Sequence, residues 1–395
     1  MTAATLAYGS RVRERMPFFW DSATLGLCAA LLLIGMVMVT SASMSVAARD
    51  LGNPFFYLER QLLFGLMGVG GAVLLTRIPT ALWDRWSMPL MLTGLALLLL
   101  VLIPGLGAMV NGARRWLRIG PVNFQVSELA RVLVLTWVCS YAVRKREELE
   151  TTFAGLMKPV GLLVVAAVLL LAEPDFGATT VLFATGLAVL FVAGARLRYV
   201  LLLVALAAGA FAMLALASPY RLKRLTGFLH PWADPFNSGF QLTQSLIAIG
   251  RGSWFGVGLG SSVQKLFYLP EAHTDFVFAV LAEEFGLAGV VVVISLFMAL
   301  VWRSFHIARL AAQAGMRFQS YLALSFGIWI GLQAIVNIGV NMGVLPTKGL
   351  TLPLLSYGRS SLLVTLAWIG VLLRVYHEVR CHSRASVTRV PGGAR

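Results

Sequence analysis

Charge is what this sequence has least of. Only 12% of its 395 residues are Asp, Glu, Lys or Arg, where a soluble globular chain carries about 25%. With 58% hydrophobic residues, the composition excludes a soluble domain and points to a polytopic membrane protein. Acids are scarcer than bases, 17 against 32, leaving a net charge of +15. That surplus is not a nucleic-acid footprint, because the bases lie in short clusters between apolar runs, as in a protein inserted into an anionic membrane. Cysteine is nearly absent. Cys28 and Cys139 fall in apolar runs and Cys381 in a basic tail, so neither a disulfide framework nor a cysteine metal site follows. A cleavable signal is absent too: the run from Phe18 to about Thr40, behind Arg11, Arg13 and Arg15, exceeds the roughly 7 to 15 residues of a signal core and reads as an uncleaved first span.

Apolar runs of roughly 17 to 25 residues each mark a membrane crossing. They predict an all-α protein with ten spans, near 20–42, 56–76, 86–104, 124–143, 157–173, 177–194, 197–217, 275–302, 318–342 and 355–375. Lys and Arg concentrate on the side of the termini, which places both termini in the cytoplasm and the long 218–274 loop, between the seventh and eighth spans, outside. The domain plan is then a basic N-terminus (1–17), a membrane domain (18–377) and a basic tail (378–395). The division rests most heavily on Glu173-Pro-Asp-Phe-Gly177; were that break a kink, every later span would invert and the charge bias would collapse.

The chain is organised around 265–279, where a polar segment meets an apolar helix. Pro270 stops a helix arriving from the N-terminal side, and Thr274 or Asp275 can cap the one that leaves. A cap needs one such residue, yet Glu271, His273, Thr274 and Asp275 all stand there. Glu283 and Glu284 follow roughly 12 Å deeper in the helix. Acids inside an apolar helix are costly and mark function. The other outer acids are Glu128, opening the fourth span, and Glu173 and Asp175, flanking Pro174. Arg131 lies three residues from Glu128 on the same helical face, so a structural ion pair stands as an equal alternative to a catalytic role. Glu147, Glu148, Glu150 and Asp84 sit among bases on the cytoplasmic side and read as solvated charge.

Three outer loops carry cations. The 108–120 loop holds Arg114, Arg115 and Arg118 on the side where bases are disfavoured, which calls for an anion, either a headgroup or a substrate phosphate. The 343–360 loop adds Lys348 and Ser356. The 218–274 loop interleaves Arg221, Lys223, Arg224, Arg251 and Lys265 with aromatics, the mix expected at a membrane interface, with an amphipathic helix near 241–249. Gly256-Val-Gly-Leu-Gly260 has no preceding strand and no following Lys-Ser, so it reads as a flexible turn rather than a phosphate loop.

These motifs, taken in order, resemble the SEDS (shape, elongation, division and sporulation) family over nearly the whole chain. The residues that carry the resemblance are Asn111-Gly-Ala-Arg-Arg-Trp116, Gln125-Val-Ser-Glu128, Glu173-Pro-Asp-Phe-Gly177, Tyr268-Leu-Pro-Glu-Ala-His-Thr-Asp275, Glu283-Glu-Phe-Gly286 and Leu352-Pro-Leu-Leu-Ser-Tyr-Gly358. Leu345-Pro-Thr-Lys-Gly349 resembles the cell-division, FtsW-like branch more than the RodA-like one. Two positions depart from the family pattern: Val126 stands in place of a proline and Arg359 in place of a glycine.

The resemblance implies a peptidoglycan glycosyltransferase that polymerises lipid II at the outer face of the bacterial cytoplasmic (inner) membrane during septal wall synthesis, releasing undecaprenyl pyrophosphate. It implies Asp275 as the catalytic carboxylate. Glu128, Arg131, Arg114, Arg115, Arg118, Glu173, Asp175, Lys265, Glu271, His273, Glu283, Lys348 and Ser356 are expected to bind substrate or support the site. A sugar hydroxyl must lose a proton and a pyrophosphate must leave, which asks for a carboxylate and for fixed cations or a divalent metal, Mg2+ or Mn2+. The alternatives are a lipid II flippase, which would need polar groups along a path to both faces, and a division-complex scaffold, which leaves the intramembrane acids unexplained. The implied partners are membrane lipids, other divisome proteins and a class B penicillin-binding protein, the division transpeptidase. Glycine pairs at four-residue spacing, Gly327/Gly331 and Gly339/Gly343, with Gly286/Gly289 of the eighth span at three-residue spacing, offer either its docking face or packing among the chain's own helices.

Overall fold

The computed structural model describes residues 18–110, 113–120, 122–216, 227–237, 239–346 and 349–387. In chain order the helices are α1 (Ser22–Leu51), α2 (Phe56–Thr76), short α3 (Thr80–Arg85), α4 (Ser87–Leu102), α5 (Val126–Arg144), short α6 (Arg146–Thr151), α7 (Phe153–Ala172), α8 (Phe176–Val192), α9 (Leu197–Leu216), α10 (Phe240–Gly252), α11 (Val277–Gln313), α12 (Arg317–Asn341) and α13 (Arg359–Val387). Among the described residues seven helices, α1, α2, α5, α7, α11, α12 and α13, are long and apolar enough to cross a membrane, and α4, α8 and α9 supply shorter apolar segments. The protein is a multi-pass, mainly helical membrane protein.

Burial separates inner from outer helices. The most apolar stretch of α5 is 89% buried and that of α11 only 28%, so α5 is central, packed by α4, α8 and α12, while α11 keeps a broad face toward lipid. The Glu173–Gly177 break is a true one: α7 ends at Ala172, and Asp175 caps α8 by accepting from the Ala178 amide at 3.0 Å. Asp21 caps α1 in the same way and pairs with Arg303 of α11 at 2.6 Å, joining those helices. The departures from the family pattern are absorbed locally. Val126 opens α5 fully buried, and Arg359 opens α13. That last helix runs on past position 378, where the tail was expected to begin.

Three expectations are corrected. The fold is not purely helical: 107–125 forms a three-stranded antiparallel sheet, β1 (Gly107–Val110), β2 (Ala113–Ile119) and β3 (Val122–Gln125), in the order β1-β2-β3. A period of two was present in the sequence, with Arg115 and Leu117 on one face of β2 and Arg114, Trp116 and Arg118 on the other. Its arginines obscured it. Leu117 packs on the core.

The second correction concerns 256–260. α11 extends beyond the expected 275–302 and is interrupted at Gly286 (φ 63°, ψ −159°). The segment 253–258 fills the gap, with the Val257 and Gly258 amides donating to the Glu283 and Glu284 carbonyls (2.9 and 3.1 Å). In return the Leu287 and Ala288 amides donate to the Ser253 and Trp254 carbonyls (2.9 and 3.1 Å). A Cβ on Gly256 would lie 2.1 Å from the Glu284 carbonyl oxygen, so this glycine is a fixed close approach and not a flexible turn.

Third, of the two readings of the glycine pairs, docking face or internal packing, the contacts favour the second. A Cβ on Gly327 would meet the Phe305 ring at 2.8 Å, and one on Gly331 would meet Val301 at 3.2 Å, which places both against α11. Gly339 faces Leu345, Gly343 faces Leu242 of α10, and Gly289 faces the Phe285 side chain one turn before it.

Two glycines with nearly equal φ separate strain from contact: Gly256 (φ +79°) meets backbone, whereas Gly260 (φ +82°) has nothing within 4 Å. Gly260→Ala is expected to cost about 1 kcal/mol and Gly256→Ala about 3 kcal/mol or more. Thermal unfolding of the two purified variants measures the difference, and equal losses would mean that 253–258 does not occupy the helix break.

Candidate active site

Asp275 stands half-buried at the entry to α11. Its backbone carbonyl accepts from Asn337 Nδ2 (2.9 Å) and Asn341 Nδ2 (3.0 Å), both on α12. One carboxylate oxygen lies 3.0 Å from where a Cβ on Gly349 would be, so the carboxylate rests against a residue that only glycine can be without displacement. Among the described residues no hydrogen bond engages that carboxylate, which leaves it free to accept one. Burial, then the charge of Glu271 and that of Asp175, raise its pKa to about 7, against the opposing pull of Arg115.

The neighbours of Asp275 divide into gatekeepers and braces. Glu271 is exposed at φ 55°, and its carboxylate accepts from the Thr274 hydroxyl at 2.8 Å. His273 sits with its ring centroid 4.4 Å from that of Tyr57 and 5.7 Å from that of Tyr357. Burial lowers the His273 pKa, with Glu271 opposing, so its imidazole is neutral at pH 7. Ser356 is a brace, its hydroxyl accepting from the Leu352 amide at 2.9 Å and its carbonyl from Gln61 Nε2 at 3.3 Å.

Arg115 reaches inward from β2 and donates to the carbonyls of Glu173 (Nε, 2.9 Å) and Pro174 (Nη2, 2.8 Å). It therefore clamps the turn between α7 and α8 while its charge is felt at Asp275. Glu173 is fully buried beneath that clamp, and among the described residues neither of its carboxylate oxygens has a hydrogen-bond partner. Burial first and Asp175 second push its pKa up to about 8, with Arg115 opposing, so it holds a proton at neutral pH. Asp175 is occupied as the α8 cap and by Ser127 (3.2 Å) and Gln125 (3.4 Å). Arg114 and Arg118 share the opposite face of β2, and among the described residues neither has an acidic partner. Lys348 lies outside the described residues.

The remaining acids are tied to structure. Glu128 and Arg131 form a fully buried ion pair, and Arg131 also donates to Gln333 Oε1 (3.4 Å) and the Ser127 carbonyl (3.3 Å). Glu283 accepts from the Ser262 hydroxyl (2.5 Å) and the amides of Val263 (3.1 Å) and Gln264 (3.3 Å). Lys265 is buried and donates to Glu284 (2.7 Å) and to Ser41 of α1 (2.8 Å). A groove of about 630 Å³ opens beside this contact, between α1 and 259–266, lined by Met36, Val37, Met44, Leu58, Leu259 and Leu266 among others. Among the described residues no three His, Cys, Asp or Glu side chains are grouped to hold a metal ion.

Sequence reasoning missed Ser41 and the amide row Gln333, Asn337 and Asn341. The row was legible as three amides at four-residue spacing in an apolar run, one polar stripe on one helix face.

The fold and site define a class: a multi-pass membrane protein that holds an unengaged, half-buried carboxylate at a helix entry, near an arginine that clamps the neighbouring turn. The chain belongs to the FtsW/RodA/SpoVE family, described as cell cycle proteins, whose sequence model matches residues 22–381. It is 54% identical over 390 residues to a probable peptidoglycan glycosyltransferase FtsW of Thioalkalivibrio sulfidiphilus, covering 99% of this chain and 98% of that one. It is 55% identical to the protein of that name from Nitrosococcus halophilus over 91% and 93% of the two chains. Among solved structures it matches a chain from a study of polymerization and crosslinking by a peptidoglycan synthase complex (TM-score 0.74, 32% identity, 91% of this chain and 98% of that one). It also matches the rod shape determining protein RodA of Thermus thermophilus (TM-score 0.67, 30% identity, 91% and 97% covered).

Removing one partner of the Glu128–Arg131 pair strands a buried charge. Glu128→Gln and Arg131→Gln are each expected to cost about 3 to 5 kcal/mol, and the double variant less than their sum. Thermal unfolding in detergent reads this. Strictly additive losses would show that the two side chains do not act as a pair.

Proposed function

We infer that the chain is a peptidoglycan glycosyltransferase of the FtsW kind, polymerising lipid II at the outer face of the inner membrane with Asp275 as general base. The observation that carries this is the Asp275 carboxylate, unengaged among the described residues, held by its backbone and raised to about 7, close to where a base is most effective at neutral pH. A hydroxyl of the acceptor sugar gives its proton to Asp275 as its oxygen bonds to the anomeric carbon of the donor. The bond from that carbon to the pyrophosphate oxygen breaks, and undecaprenyl pyrophosphate leaves with the electron pair.

The leaving group needs positive charge. Arg114 and Arg118, on the face of β2 opposite Arg115, are assigned to it with Lys348, whereas Arg115 acts by fixing the Glu173–Pro174 turn. Glu271 stands beside Asp275 at the α11 entry, and a divalent cation, Mg2+ or Mn2+, would be held there by Glu271 and would supply positive charge to the leaving pyrophosphate. The break in α11 is a feature that transporters share, but here its backbone groups are met by those of 253–258, which favours polymerisation over flipping.

The finer topology belongs to the same reading. Ten spans arise when α4, α8 and α9 cross along with the seven longer helices, with both termini cytoplasmic. The partner is a division transpeptidase at the septum, its single helix placed on the lipid-facing sides of α11 and α12. The likeness to a chain of a peptidoglycan synthase complex supports a partner of that kind.

Purified protein given labelled lipid II is expected to yield glycan chains on a gel. Asp275→Asn, which keeps shape and removes charge, is expected to fold normally and yield about 1% or less of the wild-type product, the general-base contribution being about 100-fold or more. Chains of wild-type amount from Asp275→Asn would remove the residue from the chemistry.

A further inference from the structure

We propose that Asn337 and Asn341 of α12 are positioning residues for Asp275. The argument rests on the glycosyltransferase reading above, but its geometry is independent of it. Both amide nitrogens donate to one acceptor, the Asp275 carbonyl, at 2.9 and 3.0 Å. Asn337 Nδ2 also donates to the Leu350 carbonyl at 2.5 Å, and Asn341 Oδ1 accepts the Ala279 amide at 3.1 Å. Asn341 Nδ2 donates back to the Asn337 carbonyl at 2.9 Å, which ties the second amide to the first turn below it. Two side chains on one face of a buried helix thus hold the first turn of α11 and the strand of chain that carries Gly349.

Those two segments meet at the carboxylate, because its oxygen lies 3.0 Å from the Cβ position of Gly349. The amides therefore set the height of Asp275 above the 349–351 segment without touching the carboxylate. Buried amides in an apolar helix are costly unless every polar atom is used, and here all four amide atoms have partners: Asn337 Oδ1 lies 3.4 Å from Asn341 Nδ2. One turn deeper, Gln333 repeats the arrangement by donating to the Thr351 carbonyl at 3.1 Å. Because Gln333 also accepts from Arg131, the buried Glu128–Arg131 pair braces the same segment from below. A helix end needs only a cap, whereas this row spends three amides on two neighbouring segments. What they share is the position of one carboxylate.

A positioning role separates turnover from binding, since substrate contacts are untouched while the base is displaced. Asn341→Leu removes one of two donors to the Asp275 carbonyl and the acceptor of the Ala279 amide, but each keeps a second partner, Asn337 Nδ2 and the Phe276 carbonyl (3.0 Å), so this variant folds. Its kcat is expected to fall about tenfold, the worth of one good hydrogen bond. Asn337→Leu frees the Leu350 carbonyl as well, and its kcat is expected to fall about 100-fold, the cost of a displacement of about 1 Å at a reacting group. In both, KM for lipid II is expected to stay within about threefold. Wild type and Asp275→Asn run beside them. Chains from the wild type and none from Asp275→Asn uphold the function whatever the amide variants do. Given that, folded Asn341→Leu and Asn337→Leu with wild-type kcat, or with the loss confined to KM, would overturn the positioning role. Should Asn337→Leu not fold, Asn341→Leu alone decides.

Discussion

Inside a bilayer a backbone amide or carbonyl has no water to turn to, and a break in a spanning helix must be repaired by the protein itself. The interruption of α11 at Gly286 sets this requirement, and the segment that precedes α11 is folded to meet it. Backbone groups of 253–258 pair with those on both sides of the break, and the side chains of Glu283 and Glu284 extend the repair to Ser262, Val263, Gln264 and Lys265. Lys265 carries it on to Ser41 of α1. The chain that then runs to Asp275 is anchored at its start by this repair and at its end by the amides of α12. A loop held at both ends presents its carboxylate in one place, which is what proton transfer in a transition state requires.

The charge balance at that place is uneven. Glu271, Asp275, Asp175 and Glu173 gather near one inward arginine, and Arg115 has already committed its donors to backbone carbonyls. Burial first, and then negative charge in excess of local cation, favours the protonated form, so Asp275 and Glu173 rise to about 7 and about 8. An arriving pyrophosphate would worsen the imbalance. Arg114 and Arg118, which have no acidic partner among the described residues, lie on the opposite face of the same strand as Arg115 and would be placed to meet it.

The sequence made much of this legible. Length and hydropathy located the helices because lipid imposes one length on anything that crosses it, and the polar interruption at 265–275 stood out for the same reason. Asp275 was identifiable as the acid at a helix start in a cluster too rich for a cap. What escaped was set by contacts between distant segments. Nothing local in Gly256-Val-Gly-Leu-Gly260 says that its amides fill a gap made at Gly286, and the two runs read as a flexible turn and an ordinary span. The sheet at 107–125 was hidden because its alternation is carried by arginines. Gly327 and Gly331 showed the spacing of a helix interface, but spacing does not say whose helix, and it is the chain's own α11.

The account turns on Asp275 acting as a base whose proton affinity is raised by its surroundings, and the pH dependence of kcat/KM for glycan polymerisation tests that most directly. A base must be ionised to work, so activity is present above its pKa and lost below it. The account predicts a level rate at high pH and an acid limb with its midpoint near 7, the rate then falling about tenfold for each further pH unit. A rate that stays level down to about pH 5, where an ordinary carboxylate would still be ionised, would contradict it.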